Sequence, residues 1–354
     1  MVPLVWQPFF NSYTGLSSRA LRLLENPFQD FGAGNPKEWI VPMVWAGFRD
    51  ALTLPVCWSP LKKMGEVDTL LVTSLIPDHR IAWLDKQLDG PGRKIVIFHD
   101  AIPLQDGNMP SFGKRLYENM LALMARFDLV ICVSEAAEEQ LKAFWSEKKI
   151  SPALTQALNW PVPFIGQRPS YQAPNFEEKK LLYVSRLKKM KNHVRLLEAC
   201  EKLWHKKLDF QLELIGSEDV LESSQILNKI RKLQGKGRPV FWRQNVSEEE
   251  LHRTYRESTF TVFPSLMEGF GLPIVESFWH GRAVICGNGG AIGEVSKGPG
   301  TVVADVTDVS SLAEAMELLM TDESRCQTLS EEAYKRPMRS WQDYWQELKP
   351  LLTS

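Results

Sequence analysis

Between Phe263 and Glu276 the chain runs Phe-Pro-Ser-Leu-Met-Glu-Gly-Phe-Gly-Leu-Pro-Ile-Val-Glu, which reads as a strand end, a glycine-rich loop and the first turn of a helix. Pro273 suits the first helical position, where its missing N–H would be unbonded anyway, and Gly281 is placed to stop the helix, so a helix is expected over 273–280. Ile274, Val275 and Phe278 share one apolar face at helical spacing, and Glu276 does not belong to it. Gly269 and Gly271 clear side chains from the loop, and the amides that follow point along the helix axis toward any bound anion. Side chains on a helix lean toward its N-terminus, so Glu276, read as a first-turn residue, reaches back to the spot that the loop opens, and Glu268 enters it from the loop side.

Two carboxylates beside a phosphate repel it unless the ligand also offers hydroxyls, because an ionised carboxylate only accepts hydrogen bonds. A nucleotide sugar offers phosphates in its middle and hydroxyls at both ends. Two plainer alternatives stay open here: solvated glutamates on an ordinary glycine loop, and a metal held by Glu276 and His280, four apart on one helical face but without a third ligand of matching spacing.

The rest of the chain sets this stretch in a larger frame. Thr69–Thr73, Lys94–Asp100, Asp128–Glu135, Leu181–Ser185, Phe210–Gly216, Val240–Trp242, Phe260–Phe263, Ala283–Cys286 and Thr301–Val303 read as strands, several with the unbroken apolar character of buried parallel strands. Helical patterns lie between them, among them 111–126, 136–144, 311–319 and 341–352. At 354 residues the chain suits two domains of roughly 150–180 residues each. Proline and polar residues crowd 159–180, where a linker is expected. The formal net charge is −1, so no overall field recruits nucleic acid. The five cysteines are scattered and form no Cys-x-x-Cys, which argues for a reducing compartment and against a zinc site or a disulfide framework. No secretory signal opens the sequence, and no apolar run approaches a membrane span. The twelve tryptophans read first as core, with sugar stacking or membrane contact as the alternative.

Ligands in doubly wound sheets sit beyond the carboxyl ends of strands, which singles out several residues. His99 and Asp100 emerge together from one strand end, either as a site or as a hydrogen-bonded pair. Five cations fall within 186–195 after another strand. They are a solvated face or a seat for a diphosphate, whose growing negative charge fixed cations would stabilise in the transition state. Gly216 ends a third strand where a base or ribose could approach. Near the N-terminus Gly15, among Ser and Thr, could bring amides to a phosphate or cap a helix. Ser247 with Glu250 forms a capping-box pattern opening a helix at 248–257. Gly287–Gly290 is expected to be a flexible loop. The helix at 111–126 carries Lys114, Arg115 and Arg126 outward, toward solvent or an anionic membrane surface.

The Glu-x7-Glu pattern Glu268…Glu276, set in Glu-Gly-Phe-Gly-Leu-Pro-Ile-Val-Glu, resembles the signature of the retaining glycosyltransferases of family 4. The resemblance implies the GT-B fold: an α/β protein of two Rossmann-like doubly wound domains facing a cleft, with a C-terminal helix crossing back to the N-terminal domain. It implies an acceptor-binding domain at 1–165, a nucleotide-sugar-binding domain at 166–337, and the helix at 338–354. It places Glu276 on the ribose hydroxyls, Glu268 against the donor sugar, and Arg186 and Lys191 on the diphosphate. The loop Gly269, Phe270, Gly271 and Leu272 and the glycine Gly15 would also approach the diphosphate, and Gly216 and Val246 would lie by the base. Ser185 stands where the family often has glycine before its arginine, and Gln244 replaces a glycine common near the base. His99-Asp100-Ala101-Ile102-Pro103-Leu104 resembles the His-Asp-x-Ile-Pro-Leu segment of a bacterial polysaccharide branch that often uses GDP-mannose. In that branch the histidine lines the donor-sugar pocket facing the acceptor, a role carried to His99. The expected catalytic set is therefore His99, Glu268, Arg186 and Lys191.

The function so implied is retaining transfer of a hexose, with GDP-mannose the preferred donor, to a glycan, glycolipid or lipopolysaccharide acceptor. No Asp-x-Asp is present, and neither metal nor cofactor is expected. A cytoplasmic protein is implied, with peripheral contact at the inner face of the membrane left open. A UDP-sugar donor and a nucleotide-sugar-binding protein without transferase activity are the alternatives.

Overall fold

The computed structural model describes residues 38–40, 69–73, 75, 80–105, 109–164 and 167–353. The chain divides into two compact units, one comprising Met1–Pro163 with Arg339–Ser354 and the other Phe164–Met338.

In the first unit the described strands are β1 (Glu38–Ile40), β2 (Thr69–Val72), β3 (Arg93–Phe98), β4 (Leu129–Cys132) and β5 (Leu154–Ala157). They pair in the order β1-β2-β3-β4-β5, all parallel. Helices α1 (Arg80–Gln87), α2 (Ile102–Gln105), α3 (Ser111–Met124) and α4 (Glu135–Glu147) connect them. The inner strands β3 and β4 show no alternation: every residue from Ile95 to Phe98 and from Leu129 to Cys132 is apolar and buried, the pattern of strands covered on both faces. Met120, Leu123 and Met124 of α3 face inward, while Lys114 and Arg115 are exposed. The Val-Ser-Glu turn after β4 closes as a helix cap, with the Ser134 hydroxyl accepting from the Ala137 amide at 3.0 Å. β5 has no counterpart among the expected strands. It is an edge strand whose Leu154 is 66% exposed, so the apolar signal that marks the inner strands is missing from it.

The second unit contains β6 (Lys180–Val184), α5 (His193–His205), β7 (Gln211–Ile215), α6 (Ser224–Gly235), β8 (Val240–Arg243), α7 (Glu248–Glu257), β9 (Phe260–Phe263), α8 (Leu272–Trp279), β10 (Val284–Cys286), α9 (Gly290–Ser296), β11 (Thr301–Val303), α10 (Val309–Thr321) and α11 (Glu323–Lys335). Its sheet has the order β11-β10-β9-β6-β7-β8, again all parallel. The chain winds outward from β6 through β7 and β8, then returns so that β9 pairs with the other side of β6. Strand order reverses there, so right-handed crossovers carry the helices that follow β6 and β9 to opposite faces of the sheet.

Two expectations need correction. Gly287–Gly290 is not simply a loop, because α9 begins at Gly290. A Cβ at Gly293 would lie 2.1 Å from the Asn288 carbonyl oxygen, so glycine there serves close packing of the helix against its own entry. The expected linker at 159–180 does contain the boundary between the units, after Pro163, but it is held in place rather than loose. Phe164 is buried, and the Arg168 guanidinium donates to the carbonyls of Trp279 (2.9 Å), Tyr334 (2.5 Å) and Phe278, which fixes the entry strand of the second unit.

The chain then returns to the first unit as α12 (Trp341–Thr353). Trp341, Tyr344 and Leu348 are buried, Trp160 meets Trp341 edge-on at 5.5 Å, and the Thr69 hydroxyl at the start of β2 donates to the Leu352 carbonyl at 2.9 Å. Trp145, Trp160, Trp204, Trp279 and Trp341 are all buried, which is the core reading of tryptophan. Cys132, Cys200, Cys286 and Cys326 are free and buried. Among the described residues no helix is long and apolar enough to cross a membrane.

Candidate functional site

The point of strand reversal between β6 and β9 brings together residues far apart in sequence. After β6 the chain passes Ser185 and Arg186 into a 3-10 turn at Lys189–Lys191, then through Asn192 in the left-handed region (φ 61°) into α5. After β9 it passes Pro264 and the glycine loop into α8. Backbone and side-chain bonds stitch these loops to each other. The Leu266 amide donates to the Met190 carbonyl at 3.0 Å, and the buried Asn192 amide group donates to the carbonyls of Pro264 (3.1 Å) and Val306 (2.7 Å). The Tyr183 hydroxyl, at the end of β6, donates to the Lys191 carbonyl at 2.7 Å. With its backbone so held, Lys191 places its ammonium 2.6 Å from the Glu268 carboxylate. Two predicted residues, 77 positions apart, thus form one ion pair across the reversal point.

Arg186 lies on the same strand-end side, its Nε donating weakly to the Ser217 hydroxyl at 3.4 Å and its guanidinium 3.9 Å from Asp219. Lys188 approaches Asp219 (3.8 Å) and Glu222 (3.3 Å). The acids of the loop after β7 therefore answer the cations of the loop after β6, a pairing that the charge run gave no means to foresee.

Gly216 has a backbone reason to be glycine. Its φ is 155°, and a Cβ there would lie 2.0 Å from the Ser185 carbonyl oxygen, so a side chain at 216 would push away the strand end that carries Arg186. Val246 packs on a small apolar cluster of Leu182, Ile215, Leu251 and Tyr255. Gly15 lies outside the described residues.

On α8, Gly271 takes the N-cap position at φ 111°, a conformation that favours glycine. The helix starts at Leu272, so Glu276 is its fifth residue and stands in the second turn rather than the first. Burial on α8 also departs from the expected apolar face of Ile274, Val275 and Phe278, since Val275 is only half-buried. Ile274, Glu276, Ser277, Phe278 and Trp279 are all buried, and Glu276 is only 7% exposed. A buried carboxylate needs donors. The Tyr255 hydroxyl, from α7, supplies one to Glu276 Oε2 at 2.7 Å. Sequence reasoning missed Tyr255, because nothing local links positions 21 apart on different helices.

His280 has other work than metal binding with Glu276. Its Nδ1 lies 2.8 Å from the Glu276 carbonyl, and a carbonyl only accepts, so Nδ1 carries the proton. Nε2 then accepts from His252 Nδ1 at 2.8 Å. Burial pushes the His280 pKa down to about 3, which keeps the ring neutral. Among the described residues no group of three or more His, Cys, Asp and Glu could hold a metal ion.

His99 belongs to the first unit, just beyond β3. Its Nε2–H donates to the Thr73 carbonyl at 3.1 Å, its ring lies 5.8 Å from that of Trp160, and burial lowers its pKa. Asp100 accepts from the Ile102 amide at 3.0 Å, which caps α2.

Two all-parallel sheets, the second doubly wound with its charged loops at the reversal point, define the protein as GT-B in fold. Solved structures agree. Sucrose-phosphate synthase from Thermosynechococcus elongatus superposes with a TM-score of 0.64 at 18% identity, covering 80% of this chain and 73% of that one. Anabaena HepE, solved with UDP and glucose, gives 0.64 at 16% identity over 82% and 78% of the two chains.

Within that fold, residues 168–336, nearly all of the second unit, match the model of the family described as glycosyl transferases group 1. A curated relative, the serotype-specific mannosyltransferase WbdA of Escherichia coli, is 28% identical over 235 residues, 59% of this chain and 28% of that protein. The chain thus spans less than a third of the length of that relative.

Proposed function

We propose that the protein is a retaining hexosyltransferase that moves mannose from GDP-mannose to a glycan, glycolipid or lipopolysaccharide acceptor on the cytoplasmic side of the membrane. The observation that carries this is the joining of Lys191 and Glu268 across the strand reversal, with Glu276 buried on the helix that follows. Cations for a diphosphate and carboxylates for sugar hydroxyls stand on one edge of one sheet, as a nucleotide sugar requires.

In the transfer, the bond between the sugar anomeric carbon and the diphosphate oxygen breaks, and the diphosphate leaves with the electron pair. The acceptor hydroxyl oxygen forms the new bond on the same face and passes its proton to the departing phosphate. Arg186 and Lys191 stabilise the charge that grows on the diphosphate, in the place a metal would otherwise take. The loop amides from Gly269 to Leu272 face the same anion at the start of α8. Glu268 orients the donor sugar and Glu276 the ribose. Gly216 and Val246 border the base, Gly15 approaches the diphosphate, and His99 contacts the sugar on the acceptor side.

Mannose is preferred because His99–Leu104 has the His-Asp-x-Ile-Pro-Leu pattern and because the relative WbdA is a mannosyltransferase by name. The structural neighbour solved with UDP and glucose favours a UDP-sugar as the second reading. A thermal-shift panel separates the two, since a ligand at 100 times its Kd stabilises by about 2.7 kcal/mol. GDP-mannose is expected to raise the melt and UDP-sugars to leave it unchanged. Arg186→Ala and Glu276→Ala are each expected to lower transfer by on the order of 10²-fold or more. Near-normal turnover in both would remove the site, and a donor-induced melt shift without any transfer or slow donor hydrolysis would leave only a binding protein.

A further inference from the structure

Glu276 is held from two sides by one aromatic stack. The Tyr255 ring lies parallel to the His280 ring, 4.8 Å apart with 5° between planes, and the Tyr255 hydroxyl donates to Glu276 Oε2 at 2.7 Å. His280 in turn bonds the Glu276 carbonyl and receives His252, which stands one helical turn before Tyr255 on α7. Phe164 closes the stack from outside, with its ring 4.2 Å from His252. Tyr255 is 1% exposed and His280 3%, so neither ring has room to turn away. A glutamate side chain has three rotatable bonds, and sorting a vicinal diol from a single hydroxyl needs its carboxylate plane fixed beforehand. A rigid phenol on one oxygen fixes it, and it also offsets the cost of burying the charge.

With Glu276 assigned to the ribose as above, we infer that Tyr255 is a positioning residue that sets the Glu276 carboxylate for the 2′ and 3′ hydroxyls, so that the preference for ribonucleotides is built on α7 rather than on the glycine loop.

The test compares binding of GDP and its 2′,3′-dideoxy analogue by calorimetry in the wild type, in Tyr255→Phe and in Glu276→Gln. The wild type is expected to bind GDP roughly 10-fold or more tightly than the analogue, the scale of a hydrogen bond to a charged group. Tyr255→Phe, which keeps the ring stack, is expected to shrink that ratio several-fold by weakening GDP alone, with analogue binding unchanged. A purely structural role would weaken both ligands together. A wild-type ratio near one would instead overturn the ribose assignment and the inference with it. A wild-type preference that survives in Tyr255→Phe would overturn the inference alone. Should Tyr255→Phe fold poorly, the same exchange in the Glu276→Gln background, which removes the buried charge, is expected to cause no additional loss of GDP affinity. Additional loss there would show Tyr255 acting independently of Glu276 and defeat the proposal.

Discussion

His193 and His280 sit in surroundings so poor in water that burial pushes both down to about 3, against an ordinary 6.5, and burial also lowers His99. Between pH 3 and 6.5 the unfolded chain therefore binds protons that the folded chain refuses, so stability rises with pH in that window. The contribution is complete above 6.5 and is lost as the pH falls, at up to about 1.4 kcal/mol per pH unit for each histidine. Urea midpoints are expected to drop steadily from pH 6.5 to 5, a range above the region where Glu201, held near 2 by Lys236 and Lys229, begins to matter. A flat profile over that range would show that these rings are hydrated in solution. Residue chemistry of this kind was only half legible in the sequence. The types and positions of Glu268, Glu276, Arg186 and Lys191 could be read directly, but the partners Tyr255 of Glu276 and Asp219 of Arg186 could not. Which side chain answers a charge depends on how separate helices and loops pack, and no local pattern encodes that.

Elements were easier to read where one physical signal dominated. β9 is observed over the same four residues that its apolar run marked, and the capping box at Ser247 and Glu250 is formed reciprocally, opening α7. α1, α2, β5, α6, α9 and α11 were missed. β5 is an edge strand without a continuous apolar run, and the glycines before α9 read as a turn although packing makes them a helix start. Asn192 is central to the joint between the loops after β6 and β9, beside the Leu266–Met190 bond and the Lys191–Glu268 pair. Asn192 tolerates φ 61°, donates to Pro264 and Val306, and accepts from Arg195 at 3.0 Å. Asn192→Ala leaves two buried carbonyls without their donor and puts an ordinary Cβ in the left-handed region, so it is expected to cost about 2–4 kcal/mol in denaturant unfolding. Asn192→Gly, free of the backbone penalty, is expected to cost less. Equal losses in the two variants would place the whole effect in the hydrogen bonds.

At the scale of the whole molecule, the first unit is discontinuous in sequence and the second is not. Removing residues 339–354 strips Trp341, Tyr344 and Leu348 from the first unit, and each large apolar side chain contributes about 1.5–3 kcal/mol when buried. That is several kcal/mol from a unit whose total stability is of the order of 5–15. Limited proteolysis of the truncated protein is expected to digest the first unit and leave a fragment close to 164–338, still able to bind the donor. Loss of both units together would mean that they fold as one. The same discontinuity orders events during synthesis. As the ribosome proceeds from the N-terminus, the second unit has its full sequence soon after residue 338 emerges, while the first must wait for the segment around Trp341 to Leu348. Until then the half-built first sheet shows Trp160 and its neighbours to the cell, and this is the interval in which a chaperone would be most useful to the nascent chain.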